Sequence, residues 1–154
     1  MIDSDATAVA EPAGPIYLDA SALAKLYFHE SDSDELNTRL MGRHDLVVSD
    51  LAITEVVSSL ARRNREGAVT ADEVRRAHRT MLAHLDDGTF HRVELTIDRH
   101  RVAERFLMQL TRIPLRTADA LHLSLCAGAD CATLLTYDLR LAAAARAVGL
   151  IVSP

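Results

Sequence analysis

Five carboxylates occupy positions where an alternating strand and helix pattern could use them for chemistry. Asp19 closes the apolar run IYL, Asp50 closes LVVS and Asp138 closes LLTY. Glu55 lies about one and a half turns into the helical stretch after Asp50, and Asp119 falls in the first turn of the segment that starts at Thr117. Carboxylates brought within ~4 Å of one another repel by roughly 4 kcal/mol per pair at an effective dielectric near 20, so several in one place need something to offset them. A divalent cation is the simplest remedy. Oxygen ligands without Cys or His suit Mg²⁺, with Mn²⁺ as a substitute, and either ion takes a few carboxylates together with water and phosphate oxygens. The chemistry that follows is attack of an activated water on a phosphodiester.

Each acid also has an ordinary reading. Asp19, Asp50 and Asp138 stand just before helical stretches, where an Asp side chain accepts a backbone N–H as an N-cap. Asp119 suits the positive end of its helix, yet it shares a face with Leu115, Leu123 and Cys126, where an unpaired charge is costly. Glu55 projects away from the apolar stripe of Ile53, Val56, Val57 and Leu60, which reads first as a solvated position; Ala52, Ser58 and Ser59 leave it room to face a cleft. His122, three residues after Asp119, has the spacing of a D-x-x-H metal pair, and packing or hydrogen bonding is the favoured reading.

The elements that must position these residues are legible as a repeated alternation. IYLD precedes ASALAKLYF, DLVVSD precedes LAITEVVSSLARRNRE, HRVEL precedes IDRHRVAERFLMQL, ATLLTYD precedes LRLAAAARAVG, and LIV closes the pattern. Further helices are expected over Ser33 to Met41, over Thr70 to Leu85 with Thr70 and Glu73 as a capping box, and over Thr117 to Ala127, which is apolar on nearly all sides. Gly67, Gly88, Gly128 and Gly149 fall where helices should stop. The fold class is therefore α/β, three layers (α/β/α) around a short parallel sheet of five strands. Ligands of such sheets bind beyond the carboxyl ends of the strands, where Asp19, Asp50 and Asp138 lie.

Residues 1–14 are polar and small, and are expected to be a disordered extension ahead of one domain over 15–154. With 154 residues, 49% of them hydrophobic, the chain can bury a core without disulfides. Cys126 and Cys131 lie in an apolar segment and read as small buried hydrophobes. The formal charge of −5 argues against a protein that coats nucleic acid, though not against an enzyme that binds it briefly. No stretch approaches the roughly 18 apolar residues of a membrane span, and the acidic start lacks a signal-peptide pattern, so no membrane association and a cytoplasmic location are expected.

Four segments together resemble the PIN domain and, within it, the VapC toxins. LDASALAKL (Leu18 to Leu26) is similar to the first motif, which implies Asp19 as the first acid with Ser21 helping to hold it or a metal water. ITEVVSSLAR (Ile53 to Arg62) resembles the second motif with Glu55, LRTADALHLSLC (Leu115 to Cys126) the third with Asp119, and LLTYDLRLAAAA (Leu134 to Ala145) the T-x-D motif, with Thr136 supporting Asp138. The resemblance spans Ile16 to Val152, with Ser124 in place of a small apolar residue. It implies a PIN-like fold and a Mg²⁺-dependent endoribonuclease toxin that cuts RNA such as tRNA or rRNA, with Asp19, Glu55, Asp119 and Asp138 as catalytic and metal-binding acids. It further implies a homodimer, neutralised by a cognate VapB-like antitoxin.

Arg116 and Arg140 flank two of the acids and are candidates to bind substrate phosphate. RRNR (Arg62 to Arg65) ends a helix, where cations suit the helix dipole better than they announce RNA contact. Tyr27 fits a core stripe with Ala20, Leu23 and Ala24, a reading favoured over the floor of an antitoxin groove. A haloacid-dehalogenase-type phosphotransferase needs D-x-D where this chain has Asp19-Ala20-Ser21, and a receiver domain needs paired early acids and a late lysine, whereas Lys25 is the sole lysine. No GxGxxG or GxxxxGK is present. The remaining alternative is a catalytically inactive PIN-like domain that acts by binding or regulation.

Overall fold

A computed structural model describes residues 11–154. The extension expected over 1–14 therefore lies, for residues 1–10, outside the described residues. Residues 11–14 lead into the first strand with Pro12 buried and the Ala13 carbonyl accepting the Thr133 hydroxyl at 2.6 Å.

The strands are β1 (Ile16–Leu18), β2 (Leu46–Ser49), β3 (His91–Val93), β4 (Thr133–Leu135) and β5 (Ile151–Ser153). They form one sheet in the order β3-β2-β1-β4-β5 with every pairing parallel. The helices are α1 (Ala20–Tyr27), α2 (Ser33–Leu40), α3 (Asp50–Arg65), α4 (Ala71–Asp86), α5 (Ile97–Gln109), α6 (Thr117–Gly128) and α7 (Leu139–Ala147). The expected three-layer α/β architecture and its elements are all present.

The two-residue period of a strand sorts the core into halves. Ile16, Leu18, Leu46, Val48 and Leu135 face a cluster built with α1, α2, α3 and α4, through Leu23, Leu36, Ile53, Val56, Leu60 and Met81. Tyr17, Val47 and Leu134 face the opposite way, onto Leu123 and Cys126 of α6 and Leu141, Ala144 and Ala145 of α7. The short central strands are apolar at nearly every position because helices cover both faces. Cys126 and Cys131 are free and buried in the second cluster, as small hydrophobes would be.

Helix ends follow local chemistry. Thr70 and Glu73 make the capping box at the start of α4, and Asp19 and Asp138 cap α1 and α7. Asp50 does not cap: the cap of α3 is Ser49, whose hydroxyl accepts from the Ala52 amide at 3.2 Å, while Asp50 stands exposed in the first turn, 3.4 Å from Arg92. Gly149 follows α7 at φ 86°, a left-handed turn that suits glycine. Gly128 has a different role, since a Cβ there would collide with the Arg99 guanidinium that donates to its carbonyl at 3.1 Å. No helix among the described residues is long and apolar enough to cross a membrane.

The topology matters most at β1. The chain leaves β1 to build β2 and β3 on one side and returns to build β4 and β5 on the other, so the loops after β1 and β4 part company at the centre of the sheet. Such a switch point opens a crevice at the carboxyl ends of the strands. Asp19 follows β1, and Thr136 to Asp138 follow β4, on its two lips.

Leu134 is fully buried in the second cluster. Leu134→Ala is expected to lower unfolding stability by about 2–5 kcal/mol in urea melts, whereas Met41→Ala, at 79% exposure, should change it by less than about 0.5 kcal/mol. Equal effects of the two would contradict this assignment of the core.

Candidate active site

Asp19 is 3% exposed and ends β1 with its carboxylate turned into the crevice. Its Oδ1 accepts the Ala22 amide at 2.9 Å and the Ser21 hydroxyl at 2.7 Å; its Oδ2 accepts the Thr136 hydroxyl at 2.6 Å. All three donors are neutral, and no Lys or Arg among the described residues lies within ion-pair distance of it. Burial raises the Asp19 pKa above the ordinary carboxylate range, against the opposing pull of Thr136, the Ala22 amide, His122 and Ser21. The cap reading holds for Asp19, whose Oδ1 caps α1, and the capping carboxylate is at the same time buried.

Thr136 and Ser21 tie the two lips together. Thr136 donates to Asp19 and accepts the Asp138 amide at 3.0 Å, and the Ser21 hydroxyl oxygen accepts the Tyr137 amide at 2.8 Å. Thr136 was expected to support Asp138; its hydroxyl serves Asp19 directly and Asp138 through the backbone. Asp138 caps α7 with Oδ1, which accepts the Arg140 and Leu141 amides at 2.8 and 3.1 Å. Its Oδ2 has no protein donor among the described residues.

Asp119, 8% exposed, accepts the Arg116 amide on Oδ2 at 2.9 Å, and the Arg140 guanidinium lies 3.7 Å from the same oxygen. The counter-charge sought for it in the sequence is Arg140, which stands two residues beyond Asp138. Arg116 is itself exposed at the start of α6.

Glu55 departs from the solvated reading. His122 Nε2 lies 2.5 Å from its Oε2, and the side chain is one-third exposed. His122 Nδ1 lies 2.7 Å from the Tyr17 hydroxyl, which lies 2.8 Å from Ser49 Oγ. Ser49, Tyr17, His122 and Glu55 thus form one continuous hydrogen-bonded series, and the Ala52 amide donates to Ser49 at its start. His122 is accordingly a hydrogen-bonding residue. Burial pushes the Tyr17 hydroxyl pKa well up, opposed by Ser49 and reinforced by the Asp19 and Glu55 charges, so the phenol stays protonated and able to donate.

The acids are joined through neighbours. Asp19 reaches Asp138 through Thr136, Asp119 reaches the Asp138 turn through Arg140, and Glu55 reaches α6 through His122. Among the described residues, no three acid, His or Cys side chains stand close enough to make a ready-formed metal cage. The donor set nevertheless fits a hard cation. Asp19 is a buried charge without a cationic partner, and Glu55, Asp119 and Asp138 each keep one oxygen free of protein donors among the described residues. Mg²⁺ requires only one or two carboxylates when waters complete its shell.

Two clefts flank Glu55. One, of about 390 Å³, is lined by Ser21, Lys25, Glu30, Glu55, Arg63 and Tyr137 among others, and the other, of about 520 Å³, by Glu55, Ser58, Ser59, Arg62, Arg65 and Arg116. Sequence reasoning missed Tyr17 and Ser49 as supports of Glu55. The signal that could have raised Tyr17 is a hydroxylated aromatic in a strand buried on both faces, whose O–H must find a partner.

The family model described as the PIN domain matches residues 16–147. Among curated proteins, Ribonuclease VapC46 of Mycobacterium tuberculosis is 38% identical over 139 residues, covering 89% of this chain and 95% of that protein. Among solved structures, the M. tuberculosis toxin VapC20, described as cleaving the sarcin-ricin loop, superposes with a TM-score of 0.66 at 16% identity, covering 88% of this chain and 96% of that one. FitAcB from Neisseria gonorrhoeae superposes with a TM-score of 0.65 at 12% identity, covering 90% and 96%. At these identities the two structures bear on the fold alone.

Two outcomes test this geometry. Because the folded-state pKa of Asp19 is raised, ionising it destabilises the fold above that pKa, and the penalty vanishes below the unfolded value of ~3.9. Asp19→Asn in chelator should therefore raise the melting temperature at neutral pH, with the gain shrinking as pH falls into the acid range; a gain that grows on acidification would contradict the burial. Tyr17→Phe strands partners at Ser49 and His122 and should cost about 1–3 kcal/mol in urea melts. A cost near zero would mean that this hydrogen-bond chain is not formed.

Proposed function

The chain belongs to the PIN domain family, and on that premise we propose that it is a divalent-metal-dependent endoribonuclease toxin of the VapC kind. The observation that carries the reading is Asp19: a buried carboxylate at the sheet's switch point, held by Ser21, Thr136 and a backbone amide and lacking any Lys or Arg partner among the described residues. The 38% identity to a ribonuclease over nearly that protein's whole length supports it independently.

Asp19 and Asp119, with Glu55 and Asp138 beside them, would hold Mg²⁺ or Mn²⁺. When bound, the ion supplies the Lewis acidity and charge compensation that phosphodiester hydrolysis requires. Ser21 and Thr136 keep the Asp19 oxygens pointed into the crevice. His122 fixes Glu55 so that its carboxylate can accept a proton from an attacking water. Arg140 and Arg116 receive phosphate oxygens of the RNA, the first from beside Asp119 and the second from the rim. A structured RNA of the tRNA or rRNA class is the proposed substrate, a VapB-like antitoxin the neutralising partner, a homodimer the assembly and the cytoplasm the location.

Purified protein freed of any partner should cut RNA with Mg²⁺ or Mn²⁺, stop in chelator, and lose activity by about a hundredfold or more as Asp19→Asn or Asp119→Asn. Mn²⁺ should also raise the melting temperature of the wild type and not of either variant. Undiminished cutting by both variants would refute the mechanism. No cutting, with no shift in melting, would establish the catalytically silent binding domain instead.

A further inference from the structure

The larger of the two clefts beside Glu55 has an unusual charge balance. Its lining residues Glu55, Ser58, Ser59, Arg62 and Arg65 come from one face of α3, opposite the core-facing Ile53, Val56 and Leu60, and Arg116 faces them from the start of α6. From Glu55 to Arg65 the face runs about 15 Å at 1.5 Å per residue.

Three guanidiniums in it lack partners among the described residues. Arg43, Arg63, Arg75, Arg92, Arg101 and Arg140 each lie within 4.0 Å of a carboxylate; no ion pair or side-chain hydrogen bond engages Arg62, Arg65 or Arg116 among the described residues, and although exposed arginines such as Arg76, Arg105 and Arg146 are also unpaired there, these three line one cleft. In a chain with a net charge of −5, unpaired cations gathered in one cleft run against the overall balance. The helix dipole accounts for Arg62 and Arg65 at the end of α3, but it disfavours Arg116, which sits at the positive end of α6. The smaller cleft on the other side of Glu55 differs, because both of its cations, Lys25 and Arg63, are paired with Glu30.

We infer that the Arg62, Arg65 and Arg116 cleft is the track along which the phosphate backbone of a single RNA strand leaves the acids and runs toward the C-terminal end of α3. This rests on the ribonuclease reading and adds the direction of the strand and the residues that grip it. Guanidinium groups bind phosphate oxygens bidentately, and the Ser58 and Ser59 hydroxyls add neutral hydrogen bonds. None of the cleft's lining residues is apolar in type and its surface is mainly polar, so it offers little against which a folded partner's side chains could be buried. An acidic peptide is therefore the less favoured occupant.

The test uses the full chain carrying Asp19→Asn, so that RNA is bound without being cut, and a fluorescent single-stranded oligoribonucleotide titrated at several salt concentrations. Adding Arg62→Ala and Arg65→Ala should raise Kd by about tenfold and flatten the log Kd against log salt slope by about 1.4, near 0.7 for each lost phosphate contact. Arg116→Ala should flatten it by about 0.7 more. Arg75→Ala with Arg101→Ala, which removes two exposed arginines paired elsewhere, should leave both unchanged. Unaltered Kd and slope in the cleft variants, while the wild type still cuts RNA and Asp19→Asn does not, would overturn this inference alone. Loss of polyglutamate binding with RNA affinity intact would also overturn it, assigning the cleft to an acidic protein. A wild type that neither binds nor cuts RNA would remove the ribonuclease reading beneath it.

Discussion

A carboxylate kept in the interior by neutral dipoles is the constraint around which the crevice is organised. Asp19 is placed by its backbone, as the residue at which β1 becomes α1, and two hydroxyls and an amide replace the water it gives up. Those donors come from both lips of the switch point, so holding the charge also holds the β1 and β4 loops together. Burial with no Lys or Arg beside it among the described residues disfavours the charged form, a condition suited to a ligand that brings positive charge with it.

The second support joins helices on both faces of the sheet. Ser49 caps α3 and at the same time starts the hydrogen-bond series through Tyr17 and His122 to Glu55. Four elements meet in it, since Tyr17 belongs to β1, Ser49 to β2, Glu55 to α3 and His122 to α6. A side chain one-third exposed on a surface helix is thereby tied to the centre of the fold, and the long rotamer freedom of a glutamate is reduced where a fixed carboxylate is useful. Arg140 acts similarly at Asp119, but through charge.

Family membership and geometry contribute different things. The match over residues 16–147 and the 38% identity to a ribonuclease bear on the class of chemistry. The fold supports each acid with a partner of its own: hydroxyls for Asp19, an imidazole for Glu55, a guanidinium for Asp119 and backbone amides for Asp138. Of these acids, only Asp119 has a guanidinium beside it among the described residues; Asp19 and Asp138 are held by neutral donors, which orient their charges without cancelling them.

Much of this was legible in the residues themselves. The alternation of IYL, LVVS and TLL with amphipathic stretches determined the α/β architecture, because a strand covered on both faces must be apolar throughout and a helix covered on one must be striped. Thr70 with Glu73 announced a cap because the bonds are local. Asp50 and Ser49 are adjacent residues that can both cap, and only the helix entry decided for Ser49. Arg62 and Arg65 were readable as cations at a helix end, but not as lining one cleft with Arg116, which lies more than fifty residues further along. The partnership of Tyr17, His122 and Glu55 spans separations of 105 and 67 residues, and no local periodicity encodes it. Short-range bonding and burial patterns were thus determined by the sequence alone, whereas which polar groups compensate which charges was decided only when the parallel sheet brought distant elements to one edge.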